Sequence, residues 1–275
     1  MVIRHEDLVG TYEQKKALVA QFNLTDDDFF SVVMENKAAS EYLLTALLGK
    51  PIKVIDNKTQ YSIRNIENHS IVLDLLVEDE EHNIFDVEIQ TCNEKNHERR
   101  MRYYRAAIDW SYLEKGRDYS ELPELYMIFI SEFDAFKQKR NHYEVKQLVG
   151  DAPYDDGVHC LFFNTEVDDG TGLSKLLQYL KHSDAENDSF GALSEAVRYH
   201  KANTKGVDIM CEAVREYAAD QRNEGRIEGR LEGKIEGIIE GKIETVKNML
   251  KDNVPLETAL KYTEIDRETY EKHTK

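Results

Sequence analysis

The segment at residues 71–90, IVLDLLVEDEEHNIFDVEIQ, constrains the fold of this chain more than any other stretch. Its first half is apolar at almost every position, which is typical of an inner strand covered on both faces. Its last residues alternate, with Phe85, Val87 and Ile89 on one face of a strand and polar residues on the other. The acidic EDEEHN between the two halves indicates a turn. The segment therefore predicts an antiparallel hairpin that includes an inner strand of a sheet.

Asp74 interrupts the apolar run of the first strand. A turn centred near Glu81 would place Asp74 opposite Glu88, with the two Cβ atoms about 5 Å apart. Carboxylates that close repel each other unless a cation lies between them, and a hard divalent metal such as Mg²⁺ or Mn²⁺ suits oxygen ligands. Gln90, on the same face as Glu88, is placed to orient a water or a phosphate oxygen. The pair indicates metal-assisted phosphodiester hydrolysis. The alternative is a buried Asp74 whose hydrogen bonds are satisfied within the protein, beside a Glu88 that faces solvent.

The elements around the hairpin have a definite order. Apolar residues at helical spacing predict a helix over 26–48. Two short β-branched segments, IKVID and TQYSIRNI, then predict strands. After the hairpin, residues 97–115 predict a helix, and ELYMIFIS at 124–131 predicts a buried strand. The result is an α/β domain with the order αβββαβ.

This order is that of the core shared by PD-(D/E)XK nucleases, and the chain resembles one group among them, the recombination-promoting nuclease / putative transposase (Rpn) family. The matching segments are DDFFSVVMENKAASEYLLTALLG, the hairpin ending in VEIQ, RRMRYYRAAIDW and ELPELYMIFISEFD. The resemblance implies a restriction-endonuclease-like core with a helical C-terminal extension, and Mg²⁺-dependent DNA cleavage linked to recombination. It implies Asp74, Glu88 and Gln90 as catalytic residues, with the metal held by Asp74, Glu88 and the backbone carbonyl of Ile89.

One position departs from the superfamily pattern of Asp followed by Glu-x-Lys. Gln90 stands where that pattern has lysine, and a neutral amide does not stabilise hydroxide as an ammonium does. The Rpn family itself favours Glu-x-Gln, so Gln90 fits the resemblance. Glu35, in the first predicted helix, occupies a region where related nucleases often place another acidic group, and it is a candidate additional acid; the alternative is an ordinary surface glutamate.

Arginines recur at every third residue of the helix after the hairpin, at Arg99, Arg102 and Arg105, opposite its apolar side. Such a stripe favours contact with the phosphate backbone of DNA. Arg99 or Arg102 is also a candidate source of the positive charge that Gln90 lacks. The alternative is a solvated helix face with Glu98 and Asp109 as ion-pair partners.

Composition limits the classes of function. The net charge of −17 argues against a general nucleic-acid-coating protein, although metal ions and local basic patches allow an acidic nuclease. The charge and Gln90 together leave a non-catalytic DNA- or protein-binding module of the same fold as the alternative function. No apolar run is long enough to predict a membrane span. Cys92, Cys160 and Cys211 form no CxxC pair, which favours a reducing, cytoplasmic setting.

The C-terminal region contains a four-residue repeat of Glu, Gly, a basic and an apolar residue over 224–244. Each glycine weakens a helix by about 1 kcal/mol relative to alanine, so this helix is weak alone and firmer when paired with a second copy. Self-association through the glycine faces is one interpretation, and a solvated linker helix is the other. The predicted organisation is an N-terminal arm at 1–25, a nuclease-like domain with helical additions at 26–220, the glycine-repeat helix at 221–250 and a short helical hairpin at 251–275.

Overall fold

The structure is a computed structural model that describes residues 10–63, 70–93 and 95–274, except for the side chains of 217, 218, 220–236, 238 and 273. Three parts of the sequence-based predictions therefore lie outside the described residues: positions 1–9 of the arm, positions 64–66 of the second predicted strand, and most side chains of the glycine repeat. The chain divides into two compact units, Met1–Arg215 and Glu216–Lys275.

In the described residues, the helices before the sheet are α1 (Tyr12–Val19), α2 (Asp27–Met34) and α3 (Lys37–Leu48). The single helix predicted over 26–48 is wrong, because the helix stops after Met34 and restarts at Lys37. The side chain of Asn36 accepts hydrogen bonds from the main-chain N–H groups of Ala38 and Ala39, at 3.0 and 3.4 Å. This cap stabilises the start of a new helix and accounts for the break.

The other described elements of the first unit are three strands, a helix, five further strands and two helices. They are β1 (Val54–Ile63), β2 (Ile71–Asp79), β3 (Ile84–Gln90), α4 (His97–Tyr112), β4 (Leu125–Ser131), β5 (His142–Glu144), β6 (Leu148–Val149), β7 (Ala152–Pro153), β8 (Val158–Asn164), α5 (Gly172–Lys181) and α6 (Gly191–Ala202). A single strand, β1, stands where two were predicted. The predicted order of helix, three strands, helix and strand is otherwise present.

The described strands form a mixed sheet in the order β1-β2-β3-β4-β8-β5, and β6 and β7 pair separately. Strand β2 is antiparallel to both β1 and β3, whereas β3, β4 and β8 run parallel to one another. Strand β3 therefore lies inside the sheet, between β2 and β4. The expected fold class, an α/β core of the PD-(D/E)XK type with a helical C-terminal extension, is confirmed.

Helices cover both faces of this sheet. Phe85, Val87 and Ile89 of β3 lie in a buried cluster with residues of α1, α2, α3, α5 and α6. On the other face, Met101 and Ile108 of α4 pack with apolar residues of β2, β3 and β4. The alternation predicted for β3 is confirmed, and its polar residues lie on the face that α4 covers.

The second unit contains helices only in its described part. Helix α7 (Thr204–Lys251) begins in the first unit, and α8 (Leu256–Thr263) and α9 (Arg267–Thr274) follow it. Ile243, the last apolar residue of the repeat, lies in a buried cluster with Leu260 and Ile265. A Cβ atom added at Gly237 or Gly241 would meet no atom within 4 Å. None of the helices in the described part of the chain combines the length and the apolar character that crossing a membrane requires.

Candidate active site

Asp74 and Glu88 face each other where the ladder between β2 and β3 ends. The register pairs Leu75 with Val87, and one further step places Asp74 opposite Glu88, as the sequence predicted. The main-chain N–H of Asp74 donates to Glu88 Oε1 at 3.1 Å, and the N–H of Ile89 donates to Asp74 Oδ2 at 2.9 Å. Each carboxylate is thus held by the backbone of the neighbouring strand, which fixes the position of both groups.

The main chain of Ile89 is directed toward β2. Because the N–H and C=O of one strand residue point to the same side, and the N–H of Ile89 reaches Asp74, its carbonyl also points toward β2. The next residue points the other way, since the carbonyl of Gln90 accepts from the N–H of Glu132, which follows β4. Ile89 therefore presents a main-chain oxygen on the side where Asp74 lies.

Strand β1 has an unusual backbone conformation beside the same pair. The register pairs Thr59 with Leu75 and Tyr61 with Leu73, so Gln60 lies opposite Asp74. Gln60 has a φ of 48°, in the left-handed region that residues other than glycine adopt at a cost of about 1 kcal/mol. Its side chain hydrogen-bonds to Asp74, which partly offsets the rise in pKa that burial causes in that carboxyl group. Strained residues of this kind concentrate at functional sites.

Burial and mutual repulsion raise the pKa values of three carboxyl groups here. Burial raises the pKa of Asp74 to about 6, and the charge of Asp27 acts in the same direction, against the hydrogen bond from Ile89. Burial and the neighbouring carboxyl groups also raise the pKa values of Asp86 and Glu88 well above their ordinary values. The site therefore brings together three carboxyl groups whose surroundings disfavour their charged forms.

Asp86 is the most extreme member of this group. It is fully buried, and neither of its carboxylate oxygens meets an N–H or O–H donor. The neighbouring carboxyl group of Glu88 can bond to it only when one of the two groups carries a proton. Buried carboxylates are expensive unless they are paired or close to a metal. Two buried acceptor oxygens without donors therefore favour a cation at this site.

A guanidinium group from α4 contacts the far end of the site. Arg100 donates from Nη1 to Gln90 Oε1 at 2.7 Å and from Nη2 to Glu88 Oε2 at 3.3 Å. Its guanidinium carbon also lies 5.1 Å from the centre of the Tyr104 ring. The sequence contained a signal for Arg100, because it precedes Tyr104 by four residues and so shares the inward face of the helix.

The arginines predicted from the sequence lie elsewhere on α4. Arg99 and Arg102 are exposed, so the positive charge beside Gln90 comes from neither of them. Arg105 is half-buried and pairs with Asp156, Nη2 to Oδ2 at 2.5 Å, and more distantly with Asp109. The structure thus separates the predicted stripe into two exposed residues and one that is already paired.

The acidic residue that α2 contributes near the site is Asp27 and not Glu35. Asp27 lies in the first turn of α2, and its charge raises the pKa of Asp74. Burial raises the pKa of Asp27, and the nearby charge of Arg100 partly offsets that rise. Glu35 is exposed just past the other end of the same helix. It lies eight residues, or about 12 Å along the helix axis, from Asp27. The candidate additional acid predicted at Glu35 is therefore not brought to this cluster.

The donors at the site fit a hard divalent cation. Among the described residues, no three His, Cys, Asp or Glu side chains form a ready-made metal cluster. Two carboxylates and a main-chain carbonyl, from Asp74, Glu88 and Ile89, are nevertheless an all-oxygen set of the kind that Mg²⁺ accepts with bound waters. The unsatisfied oxygens of Asp86 and the raised pKa values are the observations that support this fit.

Fold and site together define an α/β domain with the arrangement of a nuclease. Residues 28–197, more than half of the 275-residue chain, match the model of a family described as PD-(D/E)XK nuclease family transposase. The chain belongs to this family, as the resemblance in its sequence implied. Searches among curated proteins and among solved structures each gave no match.

Proposed function

We infer that the protein is a metal-dependent DNA endonuclease that hydrolyses phosphodiester bonds, in a process linked to DNA recombination or mobile-element activity. The observation that carries this proposal is the pair Asp74 and Glu88, held opposite each other by the backbone and next to a fully buried carboxylate without donors. Membership of a nuclease family supports the same reaction class. Unpaired cysteines at Cys92, Cys160 and Cys211 support a cytoplasmic setting.

The residues of the site have distinct roles in this proposal. Asp74, Glu88 and the carbonyl of Ile89 would hold Mg²⁺, or Mn²⁺ in its place. When bound, such an ion acidifies water and stabilises charge on the phosphate. Gln90 orients a phosphate oxygen or the attacking water through its amide group. Asp74 and Glu88 are kept in position by main-chain N–H groups, so they need little rearrangement when substrate binds.

The experiment that tests the proposal is cleavage of supercoiled plasmid by the purified full chain with Mg²⁺, with Mn²⁺ and with a chelator. We expect nicked or linear products with either metal and none with the chelator. Glu88→Ala should give no product under any condition while its circular dichroism matches that of the wild type. A folded, metal-supplied wild type that cuts neither double-stranded nor single-stranded DNA would instead favour a binding module of the same fold, which the charge of −17 already makes the main alternative.

Arg99 and Arg102 are proposed to contact DNA phosphates, since both are exposed on the helix that lines the site. Arg105 is a weaker candidate, because a phosphate would compete with its ion pair to Asp156. Replacing Arg99 or Arg102 by alanine should weaken binding of any DNA sequence and lower the slope of log K against log salt by about 1. Trp110, the single tryptophan of the chain, is 72% exposed on the same helix and provides the fluorescence signal.

Arg117→Ala is the matched control for these binding measurements. Arg117 is exposed beyond the end of α4 and pairs with Glu114 and Glu121. Its replacement should leave both the affinity and the salt slope unchanged. Equal losses of DNA affinity for all three arginine variants would mean that binding depends only on the total charge of the chain. The assignment of Arg99 and Arg102 as phosphate contacts would then be wrong.

Self-association through the glycine-repeat helix remains a proposal. Gly237 and Gly241 support it, because both have open space around them within one chain and would allow a close helix approach. Sedimentation of the full chain tests it, with Gly237→Leu together with Gly241→Leu as the variant. A wild type that sediments as a monomer would favour a linker helix.

A further inference from the structure

The contact between Arg100 and Gln90 explains how this site works without a lysine. Phosphodiester hydrolysis develops negative charge on the phosphate and on the attacking water, and positively charged donors near that charge lower the barrier. Gln90 has no charge of its own. Arg100 reaches Gln90 Oε1 at 2.7 Å and Glu88 Oε2 at 3.3 Å, and so brings a permanent positive charge to the same end of β3.

The hydrogen bond to Arg100 also determines which way the Gln90 amide faces. A guanidinium only donates, so the atom of Gln90 that it contacts must be the amide oxygen. The oxygen and the nitrogen of an amide point in different directions from the same carbon. With Oε1 bound to Arg100, the Nε2 hydrogens are directed away from the guanidinium. The contact with Arg100 therefore leaves the two N–H donors of the Gln90 amide unused.

The surroundings of Arg100 hold it in this place. Its side chain is only 30% exposed, and the Tyr104 ring lies beneath the guanidinium at 5.1 Å. Tyr104 also shares a hydrogen bond with Arg100.

We propose that Arg100 and Gln90 act as one unit, in which Arg100 supplies the positive charge and orients the amide, and Gln90 supplies the donors that position phosphate or water. Arg100 is thus a positioning residue that acts through Gln90, and this role rests on the proposed nuclease function. Its contact with Glu88 has a second consequence. A guanidinium on a carboxylate that is to bind a cation opposes metal binding, so removing it should strengthen metal binding while it weakens cleavage.

The test uses the full chain and three variants in single-turnover plasmid cleavage, with Mn²⁺ binding measured by calorimetry. Arg100→Met keeps an unbranched side chain that reaches about as far as the Nε atom of arginine, but it removes the guanidinium group with its charge and its hydrogen bonds to Gln90, Glu88 and Tyr104. The variant that combines Arg100→Met with Gln90→Lys returns a positive donor from the strand position itself. Arg117→Met is the control, because that arginine lies on an exposed loop with partners of its own.

We expect Arg100→Met to cleave about 100-fold more slowly, in the range found for loss of one charge-stabilising donor. It should bind Mn²⁺ more tightly than the wild type. The double variant should regain most of the lost rate, and Arg117→Met should match the wild type in both measurements. Opposite changes in cleavage and metal affinity, with rescue from position 90, are not expected from a residue that only maintains the fold.

Three results would overturn the proposal. Wild-type cleavage by Arg100→Met would show that its charge is not used. Parallel losses of cleavage, metal binding and melting temperature, without rescue by lysine at position 90, would assign Arg100 a structural role. If the wild type binds Mn²⁺ but cuts no DNA, both the proposed nuclease function and the proposed Arg100–Gln90 unit are wrong. If the wild type cleaves DNA and Arg100→Met cleaves equally well, only the proposed unit is wrong.

Discussion

Replacement of Glu88 by glutamine is expected to lower the rate of DNA cleavage by about 1,000-fold or more. The substitution keeps the shape of the side chain and an oxygen that can accept the N–H of Asp74, but it removes the negative charge that would hold the metal. A bound metal contributes several kcal/mol to stabilising the transition state. Each step of about 1.4 kcal/mol corresponds to a tenfold change in rate. Single-turnover cleavage of a labelled duplex measures the effect.

A second glutamate of the same hairpin provides the control. Glu78 lies in β2, is partly exposed and contacts His82, away from the acidic cluster. Glu78→Gln should cleave at the wild-type rate. If Glu88→Gln retained cleavage, the site would have to lie elsewhere in the chain. If it lost its folded circular dichroism spectrum, Glu88 would be a structural carboxylate and the assignment of the site would fail.

Replacement of Asp86 by asparagine is expected to raise the melting temperature of the metal-free protein. The aspartate is fully buried without a donor, whereas the amide is neutral and can donate from Nδ2 to the carboxylate of Glu88. Relief of an uncompensated buried charge is worth about 2 kcal/mol or more. In a unit of this size that corresponds to roughly 4–8 °C. Thermal unfolding in the presence of a chelator at pH 8 measures the gain.

The same carboxyl groups determine how stability depends on pH. Their pKa values are higher in the folded protein than in the unfolded chain, from 3.8 to about 6 for Asp74, so the folded state binds more protons in that interval. The contribution of these groups to the free energy of unfolding of the metal-free wild type therefore falls as pH rises from about 4 through 6 and beyond. Asp86→Asn should make this fall shallower, because one of the raised carboxyl groups is gone.

Asp79 is the matched control for Asp86, since it is a buried aspartate of the same hairpin with its hydrogen bonds complete. It accepts from the N–H groups of Glu81 and Asn83 and from Asn83 Nδ2. Asp79→Asn should lower the melting temperature, the opposite of the effect at position 86. A loss of stability for Asp86→Asn comparable to that for Asp79→Asn would show that Asp86 has donors in solution. The argument that its carboxylate favours a bound cation would then lose its main support.

The sequence allowed the hairpin, its register and the order of the elements to be predicted, because these depend on local patterns. Alternating residues at 84–90 and an acidic turn are enough to set Asp74 opposite Glu88. The break between α2 and α3 was missed because apolar spacing continues across it. The sequence signal for the break was Asn36, whose side chain can cap a new helix. Such capping competes with continuation of the preceding helix only when tertiary packing favours the break.

The partners of the central pair were harder to predict. Which arginine of α4 faces the sheet depends on the rotation of the helix about its axis, and three candidate residues differ by only a few positions. Arg100 was missed in favour of its neighbours, although Tyr104 marked the inward face. Gln60 had no signal at all, since a left-handed conformation at a glutamine depends on how β1 pairs with β2. Asp27 approaches Asp74 only through tertiary structure.

The length of the turn between β2 and β3 limits which sequence changes this site can tolerate, although the turn does not touch the site. Asp79 accepts hydrogen bonds from three donors of the turn and so fixes the length of the turn. Asp79 lies five residues, or roughly 17 Å along the strand, from Asp74. An insertion or deletion of one residue there would shift the register and move Asp74 or Glu88 to the opposite face of the sheet. Related chains that keep the activity should therefore tolerate changes of residue type in this exposed turn but not changes of its length.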